Sequence, residues 1–488
     1  MIKKAKRLLI FVLFSLTIPL VSSAQETNTM YFMPRLPQMS FMNPAFQPEC
    51  NFYLSLPGVS EVNLNLGNNS LTYNDVIFDS PVNDSLITFL HPQADPSNFL
   101  SQLNPSNDLF TEFSTNIFGF GFRAGPGYFT FHVKERSELN FSYPKDFMTF
   151  LLEGNQQMQG QTMDFNHFNL FTNHHLEYSL GYAGKVGDKL GFGVRLKYLN
   201  GLANLQSEEF DLQMYTSASG DSLALNTNID MRGSVPVEVA TDSLGFIEEV
   251  SDPFHSIPEE GEPPEETEPT LSDLFANPGI ALDFGVSYQL TDQLEISASV
   301  TDLGFINYNK DVHNYTIHGE DIAFTGVDVS SEFDDGENNF DPAQQMADSL
   351  KEQIQFSYAE NQFLHFLGPR IYVGGNYSLS DRVDLGLVSR TRFFGGEVKQ
   401  SFTLSANTRP IRGVSFSASY SVMNRAYNNL GLGLGLRLGP FQVYTVSDVL
   451  SAGLWPENTR AFNLRFGLNF VFGCNREKRL LDDQPMIR

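Results

Sequence analysis

The chain has 488 residues and a formal charge of −26, yet only 18% of its residues are charged, and it holds 44 Phe and a single Trp. So acidic a surface repels nucleic acid and excludes a DNA- or RNA-binding role. Away from the N-terminus no apolar run reaches roughly 18 residues, which excludes a bundle of membrane helices.

At the N-terminus Lys3, Lys4, Lys6 and Arg7 precede an apolar run from Leu8 to Val21 and then Ser22-Ser23-Ala24. This order predicts a secretory signal peptide, residues 1–24, cleaved near Ala24. The run of about 14 residues is too short for a spanning helix. Its removal takes the charge to about −30, because residues 1–24 hold four cations and no acid.

Beyond residue 58 one pattern recurs: an apolar face alternating with a face of small or polar residues. Phe118, Phe120 and Phe122 alternate with Gly119, Gly121 and Arg123, and Leu190 to Tyr198 alternate with Gly191, Gly193, Arg195 and Lys197. Val414 to Val422 alternate with four serines, Leu430 to Leu438 with Gly431, Gly433, Gly435 and Arg437, and Phe462 to Phe472 with Asn463, Arg465, Gly467 and Asn469. Successive side chains leave a strand on opposite faces. Leucines on one side and glycines on the other suit lipid outside and a crowded or watery lumen inside.

Tight turns fall near 125–127, 187–189, 291–293, 380–382, 409–413 and 439–440, and longer links lie between them, the longest at 201–278 and 306–363. Short and long links alternate, as a meander through a membrane requires. The expected fold is all-β: a transmembrane antiparallel barrel of about fourteen strands over 59–473, its first strand near Val59 to Leu66. Both chain ends then lie in the periplasm, with 474–488 as a C-terminal tail. Tyr128, Phe129, Tyr198, Phe393, Phe394, Phe441 and Tyr444 are candidates for interfacial girdles. Closing the barrel sets the first and last strands side by side and brings Cys50 and Cys474 to one rim, where they either form a disulfide or stay separate thiols.

The inward row Arg123, Arg195, Lys197, Arg437 and Arg465 is expected to form a lumenal charge network with acids such as Glu295 and Asp384, or to guide an anionic head group. Between Gly233 and Pro278 acids and prolines dominate, and no Lys or Arg occurs from Gly233 through Asn309, which predicts an extended, solvated loop. "FDDGENNFD" at 333–341 lacks EF-hand spacing, and His174 and His175, being adjacent, point to opposite faces of a strand. With no GxSxG, HExxH or phosphate-binding loop, neither an enzyme nor a cofactor or metal site is expected.

"MPRLPQMSFMNPAFQP" carries Asn43-Pro44-Ala45, which resembles the N-terminal signature of FadL-like outer-membrane barrels, including the PorV-type barrels of Bacteroidota. "LGNNSLTYNDVIF" (66–78), "FSYPKDFMTFLLEGN" (141–155) and "YSLGYAGKVGDKLGFGVRLKYLNGLANL" (178–205) resemble a Bacteroidota outer-membrane family known only as a domain of unknown function. The resemblance runs from about 30 to 473 and implies a fourteen-stranded barrel whose N-terminal segment, residues 25–58, forms a hatch in the lumen. It implies passage of a hydrophobic or amphipathic small molecule through the outer membrane, with membrane lipids around the wall. "NHFNLF" (166–171) and "NQFLHFLG" (361–368) are candidates to line the entrance. The alternative is a PorV-like partner barrel that binds or shuttles surface or secretion-system proteins without transport, a role that the long acidic loops suit.

Overall fold

The alternating segments become fourteen antiparallel strands closed into one barrel in the computed structural model, which describes residues 28–33, 36–80, 85–154, 158–241, 247–251, 275–324, 353–394, 397–408, 413–423 and 426–474. The expected signal peptide, the acidic stretches 252–274 and 333–341 and the tail after Cys474 lie outside these residues. The strands are β1 (Cys50–Ser55 and Val62–Asn68), β2 (Ser106–Ala124), β3 (Gly127–Pro144), β4 (Asn169–Val186) and β5 (Leu190–Thr216). They continue as β6 (Asn277–Gln289), β7 (Leu294–Tyr308), β8 (Phe363–Phe366 and Arg370–Ser378), β9 (Val383–Phe394) and β10 (Glu397–Thr408). The last four are β11 (Val414–Met423), β12 (Ala426–Leu438), β13 (Phe441–Ser447) and β14 (Ala461–Cys474).

Each strand pairs with its sequence neighbour, and β1 pairs with both β2 and β14, which closes the sheet. No edge strand is left in the wall, the condition for a sheet in hydrocarbon. The outward row is apolar and open: Leu438 is 77% exposed, and Leu430, Leu434 and Leu436 share its face. Ser415, Ser417, Ser419 and Ser421 of β11 are buried on the inside. No helix among the described residues is long and apolar enough to cross a membrane.

The two rims differ. At one, tight turns close the hairpins; Gly125 and Gly439 take φ of 58° and 63°, a left-handed conformation that glycine adopts without Cβ strain. At the other, β5 runs on for 27 residues, roughly 90 Å at ~3.3 Å per residue, well beyond what a bilayer requires. Its far end carries a projecting sheet made with Thr162–Asp164, Leu223–Ser234, Val312–Phe324 and Gln355–Ala359. Strand is thus present within both links expected to be loops, 201–278 and 306–363.

The wall begins earlier than expected, at Cys50. Pro57-Gly58 reads as the end of a strand, but the structure absorbs it in a bulge: Val59 carbonyl accepts from Leu468 N–H (3.0 Å) and Glu61 carbonyl from Asn116 N–H (2.9 Å), so both neighbouring strands stay tied to it. Two expected girdle residues, Tyr128 and Tyr444, are buried instead on the inner face.

Cys50 faces Cys474 across the β1–β14 seam and is bonded to it. A cross-link this long in sequence restricts the unfolded chain, typically by about 2–4 kcal/mol. Cys50→Ser with Cys474→Ser is expected to lower the urea midpoint by an amount matching that range, and reducing agent should shift the wild type alone. Equal midpoints with and without the bond would refute a structural role.

Candidate functional site

The stretch before β1 packs against the inner wall. Residues 28–33 and 36–49 lie against it, with two short turns, Asn28–Phe32 and Pro37–Phe41, and lead to β1 through Asn43-Pro44-Ala45. Met30, Tyr31, Met33, Leu36 and Met42 pack with Tyr372, Val388, Tyr444 and Val446 of the wall in one buried apolar cluster.

Glycines make room for this segment. A Cβ at Gly193 or Gly285 would overlap the backbone of Pro44 or the side chain of Asn43; one at Gly386 would overlap Phe32, and one at Gly433 would overlap Met33. The glycine faces of β5, β6, β9 and β12 are therefore cut-outs for the plug. Polar ties reinforce the fit. Asn43 Oδ1 accepts from Ala45 N–H (3.0 Å) and fixes the turn around Pro44, while its Nδ2 donates to Val286 and Ala298 carbonyls (3.3 and 3.4 Å). The side-chain amides of Gln38 and Asn469 exchange two hydrogen bonds (2.8 and 3.1 Å), and Ser299 donates to Met42 carbonyl (2.6 Å).

The first described residues are held by a loop at the long-link rim. Asp448, just after β13, accepts from Asn28 N–H (2.5 Å), Thr29 N–H (3.1 Å) and the Thr29 hydroxyl. Burial pushes its carboxyl above the ordinary range, against the opposing pull of those donors. A carboxyl raised in the docked state binds more protons docked than free, so docking weakens as pH climbs from the usual carboxylate value through the raised one. Attachment of residues 28–29, followed by a spin label at Thr27→Cys, is expected to be tightest at low pH, and Asp448→Asn should abolish the pH dependence. A pH response unchanged in that variant would exclude Asp448 as its source.

Beside the plug the inner wall carries a buried ion network. Lys197 pairs with Asp283 (3.0 Å), Asp302 (2.5 Å) and Glu177 (3.5 Å), and Arg195 pairs with Asp283 (3.2 Å). Arg136 meets Asp302 and Glu138 (both 3.0 Å), Arg370 meets Asp302, Glu112 and Glu138, and Arg392 meets Glu138 (2.7 Å) and Glu112 (3.6 Å). Glu61, in the β1 bulge, pairs with Lys134 (3.2 Å) and Arg465 (3.7 Å). Buried charges persist only when matched in this way. Plug and network meet at Phe41, whose ring lies 3.6 Å from Lys134 Nζ, and at Ser40, whose carbonyl accepts from Arg195 (2.8 Å).

Of the five cations expected in the network, Arg195, Lys197 and Arg465 are in it. Arg123 instead donates to Gln47 and the Pro48 carbonyl (both 2.9 Å) near the short-turn rim, and Arg437 lies beside Cys50 Sγ (4.0 Å). Glu295 and Asp384 line the cavity below the plug, away from the network. Sequence reasoning missed Lys134, Arg136, Arg370 and Arg392, although Lys134, Arg136 and Glu138 sit at the alternate spacing that puts them on one face.

Two cavities flank plug and network. One, of about 740 Å³, lies at the short-turn rim between Phe46, Gln47, Arg123, Lys185 and Asp384. The other, of about 580 Å³, lies toward the long-link rim and is floored by Arg136, Glu138, His175 and Asp302. Phe171 and His365–Gly368, from the two Phe-rich stretches expected at the entrance, line it. There β8 breaks. Its upper piece, Phe363–Phe366, pairs with β7 alone among the described residues, whereas Arg370–Ser378 pairs with both β7 and β9. The cavity reaches this break, where Phe366, 68% exposed on the outer surface, and Phe393 form part of its lining.

Among solved structures the chain is similar in fold to the toluene transporter TbuX of Ralstonia pickettii, at 10% identity over 92% of this chain and 98% of that one, with a TM-score of 0.39. A FadL homologue of Pseudomonas aeruginosa matches at 10% identity over 94% and 99%, TM-score 0.39, and the toluene transporter TodX of Pseudomonas putida at 9% over 93% and 98%, TM-score 0.37. None of the curated proteins matches the chain. The model of one protein family, described as a family of unknown function (DUF5723), matches residues 44–448.

Proposed function

The chain belongs to that family, DUF5723, and from the geometry we propose that it is an outer-membrane passage protein for a hydrophobic or amphipathic small molecule, held shut by its own N-terminal segment. The signal peptide directs export, the short-turn rim faces the periplasm and the long-link rim the cell exterior. Asn43-Pro44-Ala45 seats the plug, and the network centred on Lys197 and Asp302 holds the wall rigid around it.

The observation that carries this reading is the outer cavity, which joins the polar floor at Arg136 and His175 to the apolar break in β8. An amphipath enters from outside, is held with its polar end on the floor, and leaves through the break between Phe366 and Phe393 or past a displaced plug. A second reading, a partner barrel that binds or hands over proteins, is favoured by the sheet projecting from β5.

Native mass spectrometry of protein extracted gently from its own membrane separates the two. A lipid-sized adduct that is lost when Leu367→Trp fills the cavity supports passage. A stoichiometric protein partner without a small adduct overturns it in favour of the second reading.

A further inference from the structure

We infer that the outer cavity recognises an uncharged, hydroxyl-bearing molecule with an apolar body; the inference rests on reading that cavity as the entry chamber. Its basis is a directed hydrogen-bond chain. Tyr308 O–H donates to Asn173 Oδ1 (2.6 Å), which turns the Asn173 amide so that Nδ2 donates to His175 Nδ1 (3.2 Å). His175 then carries its proton on Nε2. That nitrogen has no partner, although the side chain is only 1% exposed and lines the cavity. A buried N–H lacking an acceptor is costly to leave unmade, and a ligand acceptor would satisfy it.

His365 has the complementary polarity. Gln206 Nε2 donates to Glu208 (2.6 Å), so Gln206 Oε1 is the atom that accepts from His365 Nδ1 (2.9 Å). The proton on Nδ1 leaves the Nε2 of His365 as a lone-pair acceptor. One histidine offers a donor and the other an acceptor, and a hydroxyl group both accepts and donates.

Charge pairing at and beside the floor disfavours an ionic head. The guanidiniums of Arg136, Arg370 and Arg392 are matched by the carboxylates of Glu112, Glu138 and Asp302. A carboxylate or an ammonium would bring an unmatched charge into this buried site. The apolar body lies against Phe171, whose ring is 5.3 Å from that of His365, and extends toward Phe366 and Phe393 at the break.

The test is calorimetric titration of the protein in lipid nanodiscs with octan-1-ol, octanoate and octylammonium, empty nanodiscs providing the partition blank. Octan-1-ol is expected to bind saturably and the two ions about tenfold more weakly; His175→Phe or His365→Phe should weaken octan-1-ol binding by about five- to tenfold. His175→Gln, which keeps an N–H, should recover most of the loss and so separates recognition from misfolding. Octanoate or octylammonium binding as tightly as the alcohol, or both Phe variants binding octan-1-ol like the wild type, overturns the hydroxyl assignment while the chamber stands. Absence of saturable binding by all three probes overturns the chamber reading itself.

Discussion

Gly193→Val combined with Gly285→Val is expected to turn a blocked barrel into a conducting one. At either position a side chain would collide with Asn43 or Pro44 across the inner wall, and on the plug side the colliding atoms at Gly193 are backbone, which cannot rotate away. Overpacking of this kind costs roughly 1–3 kcal/mol per site. Two sites together would shift the docked population by roughly thirtyfold to twenty-thousandfold, at about 1.4 kcal/mol per factor of ten. The wall should remain intact, because both glycines face inward on strands whose ladders are complete at those positions. Planar-bilayer conductance measures the outcome directly. Double-variant channels as silent as the wild type, although Asn43 has become open to proteolysis, would show that Asn43-Pro44-Ala45 does not seal the lumen. Gly375→Val supplies the control, since its Cβ would meet no atom closer than the Glu295 carbonyl at 4.0 Å.

Asp302→Ala is expected to be the most damaging single change in the wall. Asp302 receives Lys197, Arg136 and Arg370 at once, and its own N–H donates to Asp283 (2.8 Å). Its loss leaves Lys197, Arg136 and Arg370 to share the remaining acids with one positive charge uncompensated in a buried site, where removing one partner of a buried pair costs about 3–5 kcal/mol. The residue also adopts φ of 62°, which Asn accepts more readily than Ala. Urea unfolding followed by heat-modifiable gel mobility should therefore rank wild type above Asp302→Asn, and Asp302→Ala last. Adding Lys197→Met to Asp302→Ala should return part of the loss by restoring the balance of buried charge. A ranking with the Ala variant level with wild type would mean that the network contributes little to stability.

The barrel was legible because each membrane-facing stretch keeps a strict period of two, as in Leu430 to Leu438, and because tight turns punctuate one rim only. The inward cations beside glycines stood out for the same reason. Lys134, Arg136 and Glu138 did not, since the outward positions between them, Glu135 and Ser137, are polar too, and a strand polar on both faces shows no alternation. The partnership of Arg370 with Glu112 joins residues 258 apart in sequence, and no local pattern encodes it. Asp302 was hidden by its left-handed backbone, which changes the pairing register between Leu282 and Phe284 on β6 and with it the parity on which face assignment depends. The first strand was placed late because Pro57-Gly58, ordinarily a stop signal, is here tolerated as a bulge.

The bond between Cys50 and Cys474 has a mechanical consequence. It closes the chain from Cys50 to Cys474 into a covalent hoop, with the plug as a leash attached at Cys50. Force applied to the leash from the lumen is carried across the seam to the far end of the chain and does not peel β1 from its neighbours. A pull strong enough to strip Phe32, Met33, Asn43 and Pro44 from their glycine cut-outs would empty the lumen while leaving the hoop closed.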